Sequence, residues 1–131
     1  MANIAEKLSF ASIFEDLEVF KKAYALSLTI HKATLSFPKE ETFALSQQIR
    51  KASKSICACI AEGFVKQSQS PLEFARFLSM SIGSAGEMQV WIQYAIDLNY
   101  VEPQKGFAWK EEYLLILKML QKLRNSLSEN I

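Results

Sequence analysis

The spacing of apolar residues constrains this chain most. Val19, Ala23, Leu26, Ile30, Ala33 and Phe37 succeed one another at intervals of 4, 3, 4, 3 and 4. Side chains three and four apart share one face of an α-helix, so this rhythm lays down a seam of the kind that joins helices in a bundle. It predicts a helix from about Asp16 to Ser36, and it returns three times. Leu45, Ile49, Ala52, Ile56, Cys59 or Ile60, and Gly63 mark a second helix over about 42–66. Phe74, Phe77, Leu78, Ile82, Ala85, Met88 or Gln89, Ile92, and Ala95 or Ile96 mark a third over about 71–99. Tyr113, Ile116, Leu120, Leu123 and Leu127 mark a fourth over about 107–128. No stretch alternates with the period of a strand. Short links between four such helices predict an all-α, antiparallel up-down four-helix bundle.

Local signals agree with this division. Pro38 restricts the residue before it and stops the first helix. Ser70-Pro71-Leu72-Glu73 reads as a helix start, with Ser70 as N-cap, Pro71 at the first helical position and Glu73 closing a capping box. Asn99 is placed to cap the third helix, and Tyr100 to Gly106, including Pro103, reads as a loop. Residues 1–13 have weak periodicity and are expected to be a mobile arm, leaving 14–131 as one domain. A chain of 131 residues buries a sufficient core without metals or disulfides. The start lacks the pattern of a signal peptide, and no run approaches the ~20 apolar residues of a membrane span, so a cytoplasmic protein without membrane contact is expected.

The bundle leaves apolar residues over. Leu17, Phe20, Tyr24, Leu28 and Leu35 form a second face on the first helix. Leu114 to Leu117 are four consecutive apolar residues, so the last helix either sits centrally or joins an interface. These faces predict a homo-oligomer. Ser79, Gly83 and Gly86 form a line nearly free of side-chain bulk, where another backbone is expected to approach closely; Gly63 lies on the inward seam of the second helix.

Little here has the form of catalytic machinery. Cys57 and Cys59 are two apart, so on a helix they point roughly 200° away from each other, which suits packing and not a shared metal or a disulfide. His31 is the only histidine and has no evident nucleophile beside it. There is no Glu-x-x-His pair for a di-metal bundle and no glycine-rich phosphate loop. No metal, cofactor or small-molecule substrate is expected. Glu62 and Glu87 sit mid-helix among apolar neighbours and, if buried, need Arg50, Lys54 or Arg76 as partners. An interhelical or intersubunit ion pair that fixes register is the favoured reading; an acid–base pair is the other.

Net charge is +1, so a nucleic-acid role must rest on local clusters. Two exist: Arg50, Lys51 and Lys54 on the second helix, and Lys118, Lys122 and Arg124 on the fourth. Each is a candidate for phosphate contact, and a ring of identical subunits would multiply the field.

The runs Phe14-Glu15-Asp16-Leu17-Glu18-Val19-Phe20-Lys21-Lys22-Ala23, Phe37-Pro38-Lys39-Glu40-Glu41, Leu45-Ser46-Gln47-Gln48-Ile49-Arg50-Lys51-Ala52, Ile60-Ala61-Glu62-Gly63, Phe74-Ala75-Arg76-Phe77-Leu78 and Gly83-Ser84 with Glu87 carry a resemblance. In this order and spacing they resemble the four-helix-bundle proteins encoded by intervening sequences of bacterial 23S rRNA genes. Distant relatives are accessory proteins of diversity-generating retroelements. The resemblance implies a small cytoplasmic homopentamer without enzymatic activity, associated with RNA or another nucleic acid. The combined expectation is a non-enzymatic oligomer that binds RNA or a ribonucleoprotein through Arg50, Lys51 and Lys54, assisted by Lys118, Lys122 and Arg124. The alternative is a scaffolding oligomer whose basic residues pair with Glu62 and Glu87 between subunits.

Overall fold

The computed structural model describes residues 13–129, with side chains through Leu127. Four helices carry the fold: α1 (Glu18–Thr34), α2 (Leu45–Lys66), α3 (Pro71–Asp97) and α4 (Pro103–Glu129). Short 3-10 turns at Phe14–Asp16 and Lys39–Glu41 precede α1 and α2. The arm expected over residues 1–13 lies outside the described residues, apart from Ile13.

Consecutive helices pack together and α1 closes against α4, whereas the diagonal pairs α1–α3 and α2–α4 make no backbone approach. With links this short, that pattern is the up-down bundle. The core is the set of seam residues: Val19, Ala23, Leu26 and Ile30 from α1, Ile49, Ile56 and Ile60 from α2, Phe74, Leu78, Met88 and Ile92 from α3, and Tyr113, Ile116 and Leu120 from α4. Helices α2, α3 and α4 pack extensively on their neighbours, and α1 is held more loosely.

Gly63 shows how close α2 and α3 come. A Cβ at that position would lie 2.8 Å from the Phe77 Cβ and 2.9 Å from Phe74 Cδ1. Two hydroxyls tie the same pair: Ser81 Oγ donates to the Ile56 carbonyl at 2.9 Å, and Ser84 Oγ donates to Ser55 Oγ at 3.1 Å. The end where α1 passes to α2 and α3 to α4 is tied by Glu41, which accepts the Leu45 N–H at 3.3 Å and the Tyr100 hydroxyl at 2.7 Å. That carboxylate stands at the N-terminus of α2, where the helix dipole favours it. Its hydrogen bond, helped by burial, raises the Tyr100 pKa.

Asn99 ends α3 as expected. It has φ 64°, and the Tyr100 N–H donates to the Ala95 carbonyl at 2.9 Å while its own N–H donates to Ile96 at 3.0 Å. This is a Schellman closure with asparagine in the left-handed position. Two local expectations are corrected. Pro103 is not within a loop but opens α4, and the Gly106 N–H already donates to the Glu102 carbonyl at 2.9 Å. Proline suits a first helical position because its missing N–H would have no helical partner there. Ser70 stands at the N-cap of α3 but its side chain caps nothing; Glu73 instead pairs with Arg76 at 3.0 Å.

Candidate functional site

The basic edge of α2 separates into unequal parts. Arg50 is half-buried, and its Nε donates to Thr34 Oγ1 at 2.8 Å, tying α2 to the last residue of α1. Lys51 and Lys54 are exposed and form no ion pair with described residues. His31 lies against this edge. Burial, then the charges of Lys54 and Arg50, lower its pKa, and its Nδ1 is buried without a hydrogen-bond partner. Positive charge therefore accumulates at this edge with no ion pair among the described residues to offset it.

The second basic set does not join the first. Lys118 and Lys122 are exposed on α4, about 22 and 28 Å along the helix from Pro103, whereas Lys51 is about 9 Å from the α2 start at that same end. Arg124 is half-buried and donates from Nη1 to Ser79 Oγ at 3.5 Å. α2 and α4 are also diagonal, so one phosphate backbone cannot lie along both sets on one face of a protomer.

Glu62 and Glu87 were expected to need partners only if buried. Both are exposed, and neither forms an ion pair with described residues, so no buried carboxylate needs compensation within the chain. Gly83 and Gly86 have nothing within 4 Å of where a Cβ would stand, so no described backbone of the same chain packs against them. The close approach expected at Gly83 and Gly86 is therefore not made by described residues, and it occurs instead at Gly63 on the inward seam. The two cysteines are free and point to different neighbours. Cys59 lies within 3.8 Å of Ser55 Oγ on the α3 side, and Cys57 faces Ser27 of α1. Burial pushes the Cys57 thiol up to about 11, and burial likewise raises the Tyr113 phenol, whose hydroxyl is buried without a partner.

Two apolar surfaces remain uncovered. Between α1 and α2 runs a groove of about 540 Å³, walled by Phe14, Phe20, Tyr24, Leu28 and His31 on one side and by Lys54, Cys57, Ala58 and Ala61 on the other. The Phe20 and Tyr24 rings stack at 5.8 Å, and Phe14 meets Phe20 edge-on at 5.0 Å, so the aromatic wall is ordered by its own contacts. The second surface is a stripe on α3: Met80, Gly83, Glu87, Val90, Tyr94 and Leu98. Val90 is 51% exposed and Tyr94 53%. Phe107 and Leu114 of α4 are exposed beside it, and Leu114 and Leu115 show that α4 is not central. Sequence reasoning found the aromatic face of α1 but missed the α3 stripe, although its 3, 4, 3, 4 spacing from Met80 to Tyr94 was present to be read.

A family model described as 23S rRNA-intervening sequence protein matches residues 15–122. The chain belongs to that family. The match runs from the 3-10 turn before α1 into the last turns of α4, so it takes in α1, α2, α3 and most of α4, with the α3 stripe and all of the groove but Phe14. Among curated proteins, none matches the chain's sequence. Among the described residues no helix is long and apolar enough to cross a membrane.

Proposed function

We propose that this member of the 23S rRNA-intervening sequence protein family is a non-enzymatic bundle that works as a homo-oligomer in the cytoplasm. The observation that carries this reading is the pair of apolar surfaces left open on α1–α2 and α3. Exposed apolar patches rimmed by polar residues mark contact sites, and one patch would suffice for a single partner. A ring satisfies both at once, and the family resemblance implies five copies. Light scattering on a size-exclusion column tests it: a mass several times 14.9 kDa at micromolar concentration supports assembly, and a 14.9 kDa species removes it.

A second reading, RNA binding by the assembled ring, is supported by the exposed Lys51 beside half-buried Arg50 on α2, with no ion pair to Lys51 among the described residues. Lys51 is its main exposed donor, repeated once per subunit, with Lys118 and Lys122 forming a separate belt on α4. Affinity for an RNA carrying the intervening sequence should then fall steeply with salt, and Lys51→Ala should reduce the slope. An intact oligomer that binds no RNA even at low salt refutes it, and the protein is then a scaffold alone.

A further inference from the structure

We propose that the α3 stripe of one copy seats in the α1–α2 groove of the next, with Glu87 reaching Lys54 across the contact. The inference rests on the assembly reading above and specifies which surfaces meet. Three observations support it.

The first is shape. A Cβ at Gly83 would meet nothing within 4 Å among the described residues, and the groove's α2 wall includes Ala58 and Ala61 beside Lys54 and Cys57. Small residues on both surfaces let two backbones come close. Glycine in a helix interior costs about 1 kcal/mol relative to alanine, and no described residue of this chain uses the space it leaves.

The second is charge. Glu87 is the only charged residue between Met80 and Tyr94, and it is exposed without an ion pair among described residues. The groove holds one full positive charge, Lys54, likewise unpaired. Each surface thus carries what the other lacks.

The third is height. The bond from Ser81 to Ile56 sets the register of α2 and α3, since each residue lies about 15 Å from the turn that joins them. On the same scale Met80 stands at about 14 Å and Ala58 at about 12 Å, while Glu87 stands at about 24 Å and Lys54 at about 18 Å. A rotation about an axis parallel to the bundle preserves these heights. Gly83 stands at about 18 Å, so the stripe meets the groove with Met80 near Ala58, Gly83 level with Lys54 and Glu87 about one helical turn above Lys54, within reach of both side chains. The two surfaces are different patches, so the contact is head-to-tail and builds a ring instead of an isologous dimer. Lys54 is then occupied between subunits, and Lys51 remains on the outer edge.

The test is sedimentation velocity on the full chain with three variants. Gly83→Gln places a helix-favouring side chain where the isolated protomer has room, so the circular dichroism spectrum should be kept while the oligomer falls to monomer. Lys54→Glu and Glu87→Lys should each weaken assembly at least tenfold, and the double variant should recover it. Assembly that survives Gly83→Gln, or a Glu87→Lys effect with none from Lys54→Glu and no recovery, overturns the pairing while leaving the oligomer intact. A wild-type monomer overturns the assembly reading itself.

Discussion

Replacing Gly63 by alanine sets two effects against each other, and the geometry says which is larger. Gly→Ala inside a helix gains about 1 kcal/mol from propensity. The new methyl would lie 2.8 Å from the Phe77 Cβ, 2.9 Å from Phe74 Cδ1 and 3.3 Å from the Phe74 carbonyl oxygen. A Cβ and a backbone oxygen cannot rotate away, so α2 and α3 must separate, and relief falls on a contact that Ser81 and Ser84 also bridge. Overpacking costs about 1–3 kcal/mol, and fixed neighbours place this site in the upper half of that range. The net loss is about 1–2 kcal/mol. At roughly 2.1 cal/mol/K per residue over 131 residues, Tm should fall by about 4–7 °C. The assay is urea denaturation followed by circular dichroism at fixed protein concentration, so that linkage to assembly is the same for both proteins. A higher midpoint for Gly63→Ala, with unchanged slope, would refute the close approach of the two helices.

Three further outcomes follow from local geometry. Asn99→Ala puts an ordinary side chain at φ 64° and should cost about 1 kcal/mol, whereas Asn99→Gly should hold or raise the urea midpoint. Arg50→Ala removes a part-buried charged hydrogen bond to Thr34 and should cost about 1.5–3 kcal/mol, while Lys51→Ala should change stability by less than about 0.5 kcal/mol; thermal melts of the two variants separate a structural arginine from a surface lysine. His31 has a folded pKa below its unfolded value of 6.5, so the unfolded chain binds the proton first. Stability contributed above pH 6.5 should be lost as pH falls through that value toward the folded pKa, and His31→Gln should flatten the loss in urea titrations between about pH 7 and pH 5.

The fold was legible because period alone decides it. Seam residues such as Ile30, Ile56, Leu78 and Leu120 are buried where the spacing puts them. Apolar neighbours in sequence are not neighbours on a face, so the burial that would have obliged Glu62 and Glu87 to find partners within the chain does not occur. At about 100° per residue, Glu62 points outward while Ile60, Gly63 and Phe64 point in. Arg50 was grouped with Lys51 and Lys54 for want of any local sign of Thr34, which lies sixteen residues away in sequence. The line of Ser79, Gly83 and Gly86 was read as an invitation to a close neighbour, and no described residue approaches Gly83 or Gly86; the close approach falls at Gly63, on the inward seam of α2. The start of α4 was lost to an assumption about Pro103 that its position at a helix N-terminus reverses.

Native mass spectrometry of wild type beside Gly83→Gln tests the central claim most directly. Self-assembly through α3 predicts a wild-type complex of several 14.9 kDa subunits and a folded single subunit for the variant. Identical masses for the two proteins, whether single or assembled, would contradict it.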